Sequence, residues 1–268
     1  MIELPDFNTI KERNKFLAEN KDRLIAQKKS IIKQADGFGF VQLPTIKGYG
    51  VSKKDPESWQ NVNEIRVKAI INTTNIMDSH YDVHFKGLWK KSLNENRMIM
   101  HVQEHDMQAF SKIISDGEDL KAYTKDYTWK ELGYNAEGTT EALEFDSLVK
   151  HSRNAYMFDQ YKNGYVRNHS VGMRYIKMML CVNDDDYSDE YESYHKHIDK
   201  VINKDFAEEV GFFWAVKEAK VIEGSAVPLG SNQITPTYST EAAKALRPNE
   251  VVNTDTSLNN FYKHLNIS

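Results

Sequence analysis

Tyr165-Val166-Arg167-Asn168-His169-Ser170-Val171-Gly172-Met173 places one small hydroxyl residue at the end of an apolar stretch, with a glycine two positions on, and a strand is expected over 170–182. A serine becomes a useful nucleophile when a base takes its proton and backbone N–H groups hold the oxyanion that follows. The glycine lets the chain come close. Candidates for the other roles lie on either side: His105 in Gln103-Glu104-His105-Asp106, and Glu223 in Val221-Ile222-Glu223-Gly224-Ser225-Ala226-Val227-Pro228. In a regular strand His169 points away from Ser170, so it reads as structural.

Outward from that stretch, Glu64 to Ile76 alternates, with Ile65, Val67, Ala69 and Ile71 on one side and Arg66 and Lys68 on the other. That is a half-buried strand. Further strands are expected at 97–103, 110–115, 119–127 and 212–222, with a turn at Asp116-Gly117. Leu143, Leu148, Ala155, Phe158 and Tyr161 predict a helix over 140–163 that Gly164 stops. Short strands mixed with a few helices make the chain α+β.

Residues 7–35 carry Ile10, Leu17, Leu24 and Ile31 at seven-residue spacing, which predicts a helix with a narrow apolar seam. Arg13, Asn20 and Gln27 occupy the places a second seam would need, so this is not a full coiled-coil pattern. The helix either docks on its own domain or pairs with a partner chain. Asp36-Gly37-Phe38-Gly39-Phe40 and Lys47-Gly48-Tyr49-Gly50 break it, and the segment to about residue 60 reads as a linker. The domains are then a helical extension over 1–60, a main domain over 61–235 and a polar, weakly ordered tail over 236–268 with a short helix at Thr240–Leu246. Asp184-Asp185-Asp186-Tyr187-Ser188-Asp189-Glu190-Tyr191-Glu192 opens an acidic, helical insertion over 184–210. Its sixth and twelfth places hold Asp189 and His195, not the glycine and glutamate of a calcium loop, so it reads as a solvated insertion.

With 268 residues, 40% of them apolar, the chain can bury a real core. A net charge of −4 and a pI near 6.2 argue against a dedicated nucleic-acid partner. The single cysteine, Cys181, excludes an intramolecular disulfide. There is no run of about 18 apolar residues to span a membrane, and Met1-Ile2-Glu3-Leu4-Pro5-Asp6 lacks a signal-peptide layout, so the expectation is a protein that is not secreted.

Four blocks in this order resemble the serine proteases with which tailed phages mature their proheads, a family related in fold to the herpesvirus assemblins. Asp78-Ser79-His80-Tyr81-Asp82 followed by Lys86-Gly87-Leu88-Trp89 is similar to the family's entry signature. Met98-Ile99-Met100 leading to Glu104-His105-Asp106 resembles its apolar strand ending in histidine and aspartate. His169-Ser170-Val171-Gly172-Met173 resembles the serine block, and Glu223-Gly224-Ser225-Ala226-Val227-Pro228 the late Glu-x-Ser-x-Val-Pro strand. Where the family continues with Pro-Ala-Asn this chain has Gly230-Ser231-Asn232, which implies a looser exit from the strand.

The resemblance implies a small mixed or antiparallel β-barrel flanked by helices. It also implies a Ser170, His105 and Glu223 triad, with backbone N–H groups of Val171 and Gly172 at the oxyanion, and no metal or cofactor. Glu223 is assigned only by its block, so another acid could take the third place. Arg174 is a contributor by position alone. The implied setting is the host cytoplasm inside the assembling prohead, with the major capsid protein or a scaffolding protein as substrate and a homodimer as the working form. Asp78, His80 and Asp82 read as a turn and not as ligands.

Two rival readings stand beside it. His101-Val102-Gln103-Glu104-His105 matches H-x-x-E-H, in which two histidines one helical turn apart bind Zn²⁺. That motif needs a helix, and the residues before it suggest a strand. The other is a non-catalytic, scaffold-like assembly protein that binds through the 10–31 seam.

Overall fold

The computed structural model describes residues 4–33, 59, 61–95 and 98–243. One long hairpin organises them: β7 (Asn168–Val182) and β8 (Phe212–Val227) pair antiparallel along nearly their whole length. The far edge of β8 carries two parallel strands end to end, β2 (Asp82–His84) and β3 (Met100–Gln103), and β4 (Ile113–Asp116) runs antiparallel to β3. A second, antiparallel sheet has the order β5-β6-β1-β9, built from β1 (Glu64–Thr73), β5 (Leu120–Thr128), β6 (Thr139–Lys150) and β9 (Thr237–Ala242).

The inner faces of both sheets share one core. Ile65, Val67, Ala69 and Ile71 of β1, with Leu143, Phe145 and Val149 of β6, belong to the same buried cluster as Val171, Met173 and Val221 of the hairpin. Alternation in β1 is as expected, with Arg66 left exposed. The chain is therefore α+β with one antiparallel and one mixed sheet. The expected barrel does not close: among the described residues no ladder joins the two sheets, and they stack as two layers.

Several expectations need correction. The predicted helix over 140–163 is mostly strand β6, followed by α4 (Ala155–Lys162). Phe145, Ser147 and Val149 lie opposite Ala69, Val67 and Ile65 of β1, so burial at every second residue overrides the helical spacing. Asn154 caps the helix that remains by accepting the Met157 N–H, and Gly164, at φ 71°, ends it. The tail does not begin at 236, because β9 pairs with β1 there. Its proposed helix at 240–246 starts inside that strand and continues outside the described residues. The linker over 36–60 also lies almost wholly outside them. β2 and the short helix α3 (Lys90–Glu95) were not anticipated.

The N-terminal segment is two helices, α1 (Ile10–Glu19) and α2 (Lys21–Ser30), interrupted at Asn20, whose side chain donates to the Phe16 carbonyl. Only the middle of the seam is buried. Leu17 and Leu24 join the main core, roughly 1.5–3 kcal/mol each, while Ile10 is 61% exposed. The helices thus dock on their own domain. Lys33 continues the attachment: its N–H and C=O exchange hydrogen bonds with Met173 on the outer edge of β7. Its ammonium sits between Asp78 and Asp82 at 2.5 and 2.7 Å, with Lys28 on the other oxygen of Asp82.

The acidic insertion is part of this attachment and not simply solvated. It holds α5 (Ser188–His197) and α6 (Lys204–Val210), and its buried Glu190 pairs with Lys21 while Asp184 accepts from Asn14. Among the described residues no helix is long and apolar enough to cross a membrane.

Candidate active site

The β7–β8 register decides what meets what. Ser170 lies opposite Ser225 and Gly172 opposite Glu223. Directly opposed residues of an antiparallel pair put their side chains on one face, and residues two apart share it. Ser170, Ser225 and Glu223 therefore share a face. Gly172 leaves it open: a Cβ built there would overlap the Glu223 carboxylate, which extends across β7 at this point.

His105 reaches the same face from β3. That strand runs parallel to β8 with Gln103 beside Ala226, and the pairing continues through the Glu104 N–H to the Ala226 carbonyl at 3.0 Å. The chain then turns sharply. Glu104 and His105 both have positive φ, 54° and 59°, and the Asp106 N–H closes the turn on the Gln103 carbonyl at 3.0 Å. Two successive left-handed non-glycine residues are costly and tend to be kept at functional sites. The turn brings the imidazole to Glu223, where His105 Nδ1 donates to Oε1 at 2.5 Å. The carboxylate thereby fixes the ring proton on Nδ1.

A fourth residue completes the arrangement. Ser225 Oγ donates to Glu223 Oε2 at 2.9 Å and accepts the His105 backbone N–H at 2.9 Å. Its residue type alone does not mark it for a role, although its place two residues after Glu223 puts it on the carboxylate's face. Ser170 is 3% exposed, and its Oγ makes no hydrogen bond. The structure thus joins His105 to Glu223 directly, and holds Ser170 across the ladder from their shared partner. Arg174 is exposed.

The backbone separates the two expected oxyanion donors. His169 N–H is turned off the hairpin to Thr235 Oγ1 at 3.2 Å. Alternation sends the Val171 N–H toward that same outer edge and the Gly172 N–H into the ladder.

The opposite face of the same strands holds a different polar group. His169 Nδ1 faces the Thr235 carbonyl at 2.9 Å, so it carries the proton, and its Nε2 accepts from Tyr161 Oη at 3.0 Å. The tyrosine oxygen then accepts from His101 Nε2 at 3.0 Å, and His101 Nδ1 accepts from Ser147 Oγ at 2.8 Å. One acceptor-only carbonyl orients every proton in the chain. Burial depresses both imidazoles, His169 to about 4 and His101 well below its usual value, with His169 as a second influence on His101. Burial likewise raises the Tyr161 hydroxyl.

That group removes the zinc arrangement. His101 lies in a strand, both its ring nitrogens are engaged, and it faces the core while His105 faces Glu223. Among the described residues only Asp78/His80/Asp82 and Asp184/Asp185/Asp186 bring three such ligands together. In the first, Asp78 Oδ1 accepts the His80 and Asp82 N–H groups, which makes the expected turn, and the facing carboxylate oxygens are taken by lysines. Burial would raise both carboxyls, but Lys33 on Asp78, and Lys28 with Lys33 on Asp82, outweigh it and hold them below the usual range.

The exit from β8 is pinned, not loose. Asn232 bonds the Thr73 carbonyl at 2.8 Å, and a side chain on Gly230 would meet the His169 carbonyl oxygen.

No protein-family model, curated protein or solved structure matches the chain.

Proposed function

We propose that the chain is a serine endopeptidase of the prohead-maturation type, with an assemblin-like arrangement of its sheets. The observation that carries this reading is the 2.5 Å bond from His105 to Glu223 on the face that Ser170 shares. His105 and Glu223, far apart in sequence, are bonded to each other, and Ser170 lies on the same face of the hairpin, which supports the serine, histidine, carboxylate order that acyl transfer needs.

In this mechanism Ser170 Oγ attacks the peptide carbonyl and His105 Nε2 takes its proton. Glu223 keeps the imidazole in the right tautomer and stabilises the imidazolium. The proton then passes to the leaving amine, and water hydrolyses the acyl-enzyme with His105 as base again. The Val171 N–H is the better placed of the two expected oxyanion donors. Ser170 must gain the imidazole as a partner when substrate enters, since its hydroxyl is buried without a hydrogen bond. Such contacts commonly tighten only in the substrate complex.

The substrates in this reading are a scaffolding protein, an extension of the major capsid protein, or the chain itself, cut inside the assembling prohead. Self-cleavage is confined by the fold. Removing residues through Lys33 would strip Leu17 and Leu24 from the core and leave Asp78 and Asp82 buried without their lysines.

The test is co-expression with the capsid and scaffolding proteins, with mass spectrometry of the products. The expected result is discrete cleavage by the wild type and none by Ser170→Ala. Equal cleavage by both removes the serine mechanism.

A further inference from the structure

Ser225 is fully buried and uses its hydroxyl twice on the same pair of residues. Its proton goes to the carboxylate oxygen of Glu223 that the imidazole does not use, and its lone pair takes the backbone N–H of His105, both at 2.9 Å. One side chain thus holds the main chain of the histidine and the free oxygen of the glutamate. The histidine needs such an anchor, because its backbone is left-handed and its turn is tight. The glutamate needs it as well, since a buried carboxylate oxygen with no donor carries a large desolvation cost.

We propose that Ser225 is a positioning residue for the general base. It keeps the His105 ring and the Glu223 carboxylate in mutual register by fixing both from one point, and the two-residue spacing from Glu223 along β8 is what allows it. The kinetic part of this inference rests on the peptidase reading; the geometric part does not.

The test compares Ser225→Ala with Ser225→Thr, which retains a hydroxyl, in the full chain. One readout is kcat and KM on the capsid or scaffolding substrate. The other is the proton resonance of His105 Nδ1–H, which a short bond to a carboxylate moves far downfield and which His105→Gln identifies by removing it. Ser225→Ala is expected to lower kcat about 10- to 100-fold with KM little changed, and to broaden or abolish the resonance. Ser225→Thr restores both. Should Ser225→Ala fail to fold, Ser225→Cys fills the space with a poor donor and carries the same comparison.

An unchanged resonance in the Ala or Cys variant overturns the proposal, as does a change in KM alone. If the resonance responds as expected but the wild type cleaves nothing, the positioning role stands and the peptidase reading falls.

Discussion

On one face of the β7–β8 hairpin, Ser147, His101, Tyr161 and His169 form a chain in which every ring nitrogen has a partner and each proton has one place to be. On the other face, His105, Glu223 and Ser225 are tied together, while the Ser170 hydroxyl has no hydrogen bond. The residues alternate between the faces as sequence neighbours, His169 beside Ser170 and Gly224 between Glu223 and Ser225. Both faces bury imidazoles and hydroxyls, so composition does not distinguish them. What differs is closure. A fully satisfied network rigidifies a core, whereas a nucleophile must keep a hydroxyl available for a reaction partner.

The largest contrast is in activity. Ser170→Ala or His105→Ala should reduce cleavage by roughly 10⁴–10⁶ while leaving the circular dichroism spectrum unchanged. His101 and His169 variants should instead damage folding. Activity that survives loss of Ser170 breaks the distinction between the faces at once.

Acid should act through the closed face. His169 is held near 4 against 6.5 when unfolded, so over that range the unfolded chain takes up a proton that the folded chain refuses. Its contribution is intact above pH 6.5 and is lost as pH falls toward 4. The slope is about 1.4 kcal/mol per pH unit for each such histidine. His101, also depressed, adds in the same direction. Urea titrations at pH 7 and pH 5 measure the loss. A flat profile contradicts the neutral network.

Gly172→Ala sharpens the comparison by attacking the open face alone. The added methyl must displace the Glu223 carboxylate, and kcat should fall about 10²-fold, with roughly 1–3 kcal/mol of stability lost to overpacking. The smallest effect is expected from Tyr161→Phe. It leaves two buried imidazole nitrogens without their shared partner, costing about 1–3 kcal/mol in denaturant melts, with kcat at the wild-type level.

Much of this was legible in the sequence where a pattern had one physical reading. The alternation of Ile65 to Ile71 and the Ser-x-Gly and Glu-x-Ser spacings map directly onto strands whose faces follow from parity. The segment over 140–150 is ambiguous in sequence because Leu143 and Leu148 also fit a helix, and only the facing residues of β1 decide for the strand. The N-terminal seam gave the right buried pair, Leu17 and Leu24. Its length misled, since the helix divides at Asn20, where the side chain bonds the Phe16 carbonyl. The acidic run gave no sign that it receives Lys21 and Asn14, because such pairing depends on three-dimensional neighbours. Ser225 was in view as part of a block, yet its double role required the left-handed turn at His105, which no residue type there announces.

The central claim is that the hydroxyl of residue 170 is the one activated by the imidazole of residue 105. Treating the folded protein with a serine-directed phosphonate and mapping the adduct by peptide mass spectrometry tests it most directly. The account predicts a single adduct on Ser170 that disappears in His105→Ala. Labelling of Ser225 instead, labelling that does not depend on His105, or no adduct in a preparation that cleaves its substrate would contradict it.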